Sequence, residues 1–160
     1  MAISKGDTLP DSKVMIMGDS GPEPASIAEL FSGKTVALFS VPGAFTPTCS
    51  AQHLPGFVNK ADELKAKGVD LIACVSVNDV FVMDAWGKAA GVGDKVLMIA
   101  DGNADFAKAL GLDLDASGFG MGQRSQRFSM LVKAGVVAEL NVEEGGAFEV
   151  SSAEYLLGQL

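Results

Sequence analysis

The segment Lys34-Thr-Val-Ala-Leu-Phe-Ser-Val41 constrains the fold most. It is a near-continuous run of β-branched and apolar residues, the pattern of a strand buried on both faces. Such a strand needs parallel neighbours and crossover helices to cover it. Two further runs of this kind follow, over residues 69–75 and 96–100. Between and after them lie amphipathic helical segments. One starts at Thr48 or Ser50 and runs to Lys67, ended by Gly68; one covers 80–90, ended by Gly91; one covers 104–110, ended by Gly111. Residues 1–29 are loop-rich, with Val14 and Ile16 in a short hairpin strand. Ser26-Ile-Ala-Glu29 fits a capping box opening a short helix that Gly33 closes. Residues 128–132 and 136–140 read as a hairpin, and a last helix takes 152–160. The order predicts an α/β fold with a mixed, mostly parallel central sheet and helices on both faces. With no linker or repeat, residues 1–160 read as a single domain.

Charge narrows the function. Twelve Lys and Arg stand against 20 Asp and Glu, a net charge of −8. Binding to phosphate-rich partners rests on Lys and Arg, so neither nucleic acid nor an anionic membrane is expected as a partner. The start lacks a basic-then-apolar leader, and no apolar run approaches the ~20 residues of a spanning helix. A soluble, cytoplasmic protein is expected. Two cysteines, Cys49 and Cys74, are too few for a disulfide framework, and a single histidine, His53, leaves no set of ligands for a closed zinc site. No metal and no cofactor are expected.

The chemistry concentrates in Pro42-Gly-Ala-Phe-Thr-Pro-Thr-Cys-Ser50. A buried strand ends at Pro42 and a helix opens near Pro47, since proline suits a helix's first position. Cys49 therefore falls in the first helical turn, above the carboxyl end of a parallel strand, where open α/β sheets bind ligands. Free N–H groups and the positive helix end favour thiolate over thiol there, and the thiolate is the nucleophile. The Thr46 hydroxyl is within reach of the sulfur or of a bound oxygen. The plainer reading of Cys49 is a small buried hydrophobe. A third is a Cys–His hydrolase, because His53 stands four residues on and shares a helical face with Cys49. For His53 the plain reading is a hydrogen-bonded structural or interface histidine.

The stretch Val41-Pro-Gly-Ala-Phe-Thr-Pro-Thr-Cys-Ser-Ala-Gln-His-Leu-Pro-Gly-Phe57 resembles the active-site signature of peroxiredoxins, in the long form of the peroxiredoxin-5, or type II, group. Val75-Ser-Val-Asn-Asp79, Trp86-Gly87 and Arg127-Phe-Ser-Met130 match as well, and the similarity runs from about Gly6 to the C-terminus. The resemblance implies a thioredoxin-like fold. It also implies a thiol-dependent peroxidase for hydrogen peroxide and small alkyl hydroperoxides, with Cys49 oxidised to a sulfenic acid. Thr46 and Arg127 would supply donors to the reacting atoms, and Pro42 would shield the thiolate. A guanidinium stays charged and offers rigid donors, which suits Arg127 to that place. A surface salt bridge is the expectation for Arg124.

Cys74 lies in a strand that reads as buried, so core packing is its plain role. Some relatives carry a resolving cysteine near the C-terminus, but here that region reads Ala147-Phe-Glu-Val-Ser-Ser152. The resemblance then implies recycling by an outside thiol, glutathione with glutaredoxin or a thioredoxin; resolution by Cys74 after local unfolding is the alternative. It also implies a homodimer beside the Cys49 edge, with Phe45, Phe81 and Trp86 either at the contact or in the core. A peroxide-sensing redox relay or a thioredoxin-like binding module would use the same residues.

Overall fold

The structure is a computed structural model that describes residues 2–160; Met1, at the head of the loop-rich opening, lies outside them. The chain begins with β1 (Lys13–Gly18), β2 (Gly21–Ser26), α1 (Ile27–Phe31) and β3 (Thr35–Val41). A turn of π-helix (Cys49–His53) continues into α2 (Leu54–Asn59) and α3 (Ala61–Ala66). Then come β4 (Leu71–Ser76), α4 (Val80–Ala89), β5 (Leu97–Ala100) and α5 (Asp105–Leu110). The last part holds β6 (Asp113–Asp115), a 3-10 turn (Ser117–Phe119), β7 (Gln123–Ser125), β8 (Phe128–Lys133), β9 (Val136–Val142) and α6 (Ala153–Leu157).

Seven strands form one sheet in the order β2-β1-β5-β4-β3-β8-β9. The fold is thioredoxin-like α/β, with the mixed sheet expected. Its balance differs from expectation, because only the β3–β4 and β4–β5 pairs are parallel. The four other pairings are antiparallel, so the sheet is not mostly parallel. A hairpin extends the parallel trio at each side, antiparallel by construction within itself, and its inner strand also runs antiparallel to the trio, β1 against β5 and β8 against β3. Pro22 and Pro24 lie in β2, at the sheet's outer edge, where a missing N–H costs little.

Alternation along β3 sorts the core into two layers. Ala37, Phe39 and Val41 face α2, α3, α4 and α6, through Leu54, Phe57, Leu64, Met83, Trp86 and Leu156. Val36 and Leu38 face α1 and α5, through Ile27, Phe31, Phe106 and Leu110. Helices thus cover both faces. Gly87 lets α4 sit close to β5: a Cβ there would stand 2.9 Å from Met98 Cγ.

The long helix expected up to Lys67 is broken into three pieces. Pro55 carries no N–H to continue the α-helical ladder. The Leu54 N–H reaches back five residues to the Cys49 carbonyl, which makes the π turn. A second break falls at Lys60, between α2 and α3. The β6–β7 ribbon was not foreseen; its residues are few and β6 is exposed throughout, so no buried periodicity marks it.

Candidate active site

The site is assembled where β3 ends. Helical structure begins at residue 47, so Cys49 occupies the first turn above the carboxyl end of β3, as its spacing from Pro42 implied. Pro42 follows β3 directly and is half-buried. The Cys49 residue has no accessible surface.

Arg127 arrives by strand register. Antiparallel β8 sets Phe128 opposite Ser40, which brings Arg127 level with the end of β3. Phe128 and Met130 belong to the layer of α1 and α5, whereas Leu131 belongs to the layer that holds Cys49. Alternation therefore turns Arg127 toward Cys49. Its Nη2 donates to Cys49 Sγ at 2.9 Å, and its Nη1 to His53 Nδ1 at 2.8 Å. The residue is only 9% exposed. A hydrogen bond from a guanidinium strengthens when its acceptor is an anion.

His53 is wholly buried among Phe39, Phe57 and Phe148, with ring centroids 4.8, 5.7 and 5.1 Å away. Its Nε2–H donates to the Ser151 carbonyl at 2.8 Å, which leaves Nδ1 as the acceptor for Arg127. Burial, and then the Arg127 charge, push its pKa down to about 3, against a smaller upward pull from the Ser151 bond. The imidazole is neutral, and both nitrogens are engaged away from sulfur. A Cys–His hydrolase has no general base here.

Thr46 Oγ1 donates to the Gly43 carbonyl at 2.7 Å, not to Cys49. The hydroxyl's proton is thereby committed and its lone pairs are left to accept. The turn it closes is pinned from outside: the Ala44 N–H donates to Asn78 Oδ1 at 3.0 Å. Arg124 departs from the expected surface salt bridge. It is half-buried, and its Nε and Nη1 donate to the carbonyls of Met121 and Val77 at 2.9 and 3.0 Å. The ribbon β6–β7 turns the side chain inward onto these two loops, so backbone carbonyls take the place of a carboxylate.

Cys74 lies in β4 opposite Phe39, with no accessible surface, in the same core layer as Cys49. Burial pushes its thiol well up; Cys49 nearby adds to that, and Arg127 opposes it. Neither cysteine is in a disulfide. Trp86 is core, with its indole N–H donating to Ser50 Oγ at 3.0 Å, whereas Phe45 and Phe81 are 55% and 66% exposed.

Sequence reasoning missed Phe148, Ser151 and Glu143. Phe148 puts its ring 5.8 Å from Arg127 Cζ, Ser151 supplies the carbonyl for His53, and Glu143 Oε2 accepts from the loop that carries both. Nothing in Val142-Glu-Glu-Gly-Gly146 separates Glu143 from its exposed neighbour Glu144 until the loop folds back. No group of three or more His, Cys, Asp or Glu among the described residues is arranged to hold a metal ion, and no helix there is long and apolar enough to cross a membrane.

Fold and site together define a thioredoxin-like thiol enzyme. The Redoxin family model matches residues 4–157. Peroxiredoxin-2C of Oryza sativa subsp. japonica is 51% identical, over 99% of this chain and 98% of its own. The crystal structure of reduced Prx3 in complex with H2O2 from Vibrio vulnificus shares 55% identity and a TM-score of 0.95, covering 98% of each chain. That of peroxiredoxin 5 from Alvinella pompejana shares 38% identity and a TM-score of 0.79, over 88% of this chain and 90% of that one. The chain belongs to the redoxin family and is a peroxiredoxin, a thiol-dependent peroxidase.

Proposed function

We propose that the chain is a type II peroxiredoxin that reduces hydrogen peroxide and small alkyl hydroperoxides at Cys49 and is recycled by an external thiol. The observation that carries this reading is the 2.9 Å bond from Arg127 Nη2 to a sulfur buried from water. The thiolate attacks the terminal oxygen of R–O–O–H. An S–O bond forms as the O–O bond breaks, sulfur is oxidised to sulfenic acid, and the departing alkoxide takes a proton to leave as alcohol, or as water when R is hydrogen. Arg127, fixed between Cys49 and His53, donates to oxygens gaining charge along this path. Thr46 Oγ1 accepts the peroxide O–H. Pro42 shields the thiolate and brings no N–H to compete for it.

A reducing thiol then displaces water from the sulfenic acid to form a mixed disulfide, and a second thiol releases Cys49. Glutathione with glutaredoxin, or a thioredoxin, fits this role. The high thiol pKa of buried Cys74 supports core packing over resolution. Exposed Phe45 and Phe81 beside the Cys49 edge support a homodimer there. The reading places the chain, as one domain, in the reducing cytoplasm, where both cysteines stay thiols.

Intact mass of the reduced protein after one equivalent of hydrogen peroxide tests the cycle. One added oxygen, replaced by one glutathione when it is present, is expected. Loss of two hydrogens would move resolution to Cys74. Peroxide turnover retained by Cys49→Ser would overturn the assignment of Cys49.

A further inference from the structure

Glu143 stands immediately after β9, and its own N–H donates to the Arg127 carbonyl at 3.0 Å. The residue is 6% exposed. One oxygen of its carboxylate, Oε2, accepts four hydrogen bonds. The N–H groups of Glu149, Val150 and Ser151 donate at 2.8, 2.9 and 2.8 Å, and Ser151 Oγ–H at 2.6 Å. Three successive N–H groups turned to one point form a concave anion site, and here the chain fills it with its own carboxylate. Burial raises the pKa of this group, but the donors of Ser151, Glu149 and Val150 outweigh it, so the carboxyl is held below its usual range as an anion.

The loop gathered by that oxygen reaches Arg127 by two routes, through the Ser151 carbonyl to His53 and through the Phe148 ring. Ser151 presents its carbonyl to His53 Nε2–H at 2.8 Å. That bond leaves His53 Nδ1 bare, and Nδ1 takes Arg127 Nη1 at 2.8 Å. The other guanidinium nitrogen, Nη2, is on Cys49 Sγ. Phe148, one residue before the captured N–H groups, lies against both the guanidinium and the imidazole. An unbroken line of hydrogen bonds thus runs from Glu143 through Ser151, His53 and Arg127 to the sulfur.

We propose that Glu143 is a positioning residue for peroxide reduction: by holding the 148–151 loop it fixes His53 as the Nε2–H tautomer and thereby aims Arg127 at Cys49. The inference rests on the peroxidase reading of Cys49. Without the carboxylate, the loop has no charge to gather its donors, Ser151 drifts from His53, and the guanidinium loses its second anchor. Misplacing a group that must meet a transition state slows the reaction steeply even when the fold survives.

The test compares the wild-type chain with Glu143→Gln, and with Glu144→Gln at the exposed neighbour. The second-order rate of Cys49 oxidation by hydrogen peroxide is read beside the 15N signals of the only histidine. Glu143→Gln is expected to slow oxidation by about tenfold to a hundredfold. It is also expected to shift the His53 15N signals away from those of the pure Nε2–H tautomer, whereas Glu144→Gln changes neither. A folded Glu143→Gln protein with wild-type rate and an unchanged His53 spectrum overturns the proposal. If Glu143→Gln does not fold, Ser151→Ala, which removes one of the four donors, serves instead: a slowing of a few-fold supports the proposal and a wild-type rate overturns it. A wild-type chain inert to peroxide sinks the peroxidase reading alone, because the His53 spectrum still reports on the latch.

Discussion

Two contacts from one guanidinium tie the candidate active site together, and both need the planar fork of arginine. Lysine offers a single ammonium on a flexible stem and cannot keep Sγ and Nδ1 together. Arg127→Lys is expected to lower kcat/KM for peroxide by roughly 100-fold, the scale of losing one preorganised donor, as competition kinetics against a second peroxidase would show. His53 makes the stability of the fold depend on pH. Folded, its pKa is held at about 3 instead of 6.5. Between those values the unfolded chain binds a proton that the folded chain refuses, so stability falls as pH falls, by at most about 1.4 kcal/mol per pH unit. The depressed carboxyl of Glu143 acts with the same sign: its contribution is present above the unfolded carboxyl pKa and is lost as pH falls through the folded one. Urea midpoints at about pH 7 and about pH 5 measure the slope. A midpoint independent of pH over that range contradicts a neutral His53.

At the scale of elements, the π turn and α4 are coupled by one hydrogen bond, from the Trp86 indole to Ser50, next to Cys49. This is the only tryptophan in the chain. Its emission is expected to change in step with Cys49 oxidation, and the change is expected to be lost in Cys49→Ser; stopped-flow fluorescence reads both. Two helical glycines make a paired prediction. Gly87→Ala drives a Cβ into Met98 and is expected to cost about 1–3 kcal/mol. Gly56, in α2, has nothing within 4 Å of a built Cβ, so Gly56→Ala is expected to add about 0.5–1 kcal/mol. Urea unfolding of both variants decides whether packing or helix propensity governs each position.

For the whole molecule, the sheet places the candidate active site at an end that also carries exposed aromatics, Phe45 and Phe81. Phe45 holds a left-handed backbone, φ 63°, in the turn that leads to Cys49. An exposed aromatic in that conformation is a burden for a lone chain and is offset where a second surface covers it. If the homodimer forms there, Phe81→Asp is expected to halve the mass measured by analytical ultracentrifugation and leave the fold intact by circular dichroism. An unchanged mass moves the interface elsewhere.

The sequence by itself determined the alternation of the three central strands with helices and the final hairpin, because burial on both faces requires the apolar runs at Lys34–Val41 and after it; the exposed β6–β7 ribbon left no such mark. It also determined that Cys49 opens a helix at a strand's end, because Pro47 and the strand stop at Pro42 are local signals. The π turn and the breaks near Pro55 and Lys60 were less legible, since a missing donor says that a helix changes but not how. Only the tertiary structure decided what touches the sulfur. Arg127 and Arg124 stand three residues apart in one segment, yet strand register sends the first to Cys49 and a separate ribbon sends the second to two backbone carbonyls. His53 was legible as a residue but not as a neutral acceptor, because its tautomer is set by a carbonyl 98 positions away. Glu143 was not legible at all, because an anion site made of backbone N–H groups leaves no mark on side-chain composition and exists only once the loop has closed over it.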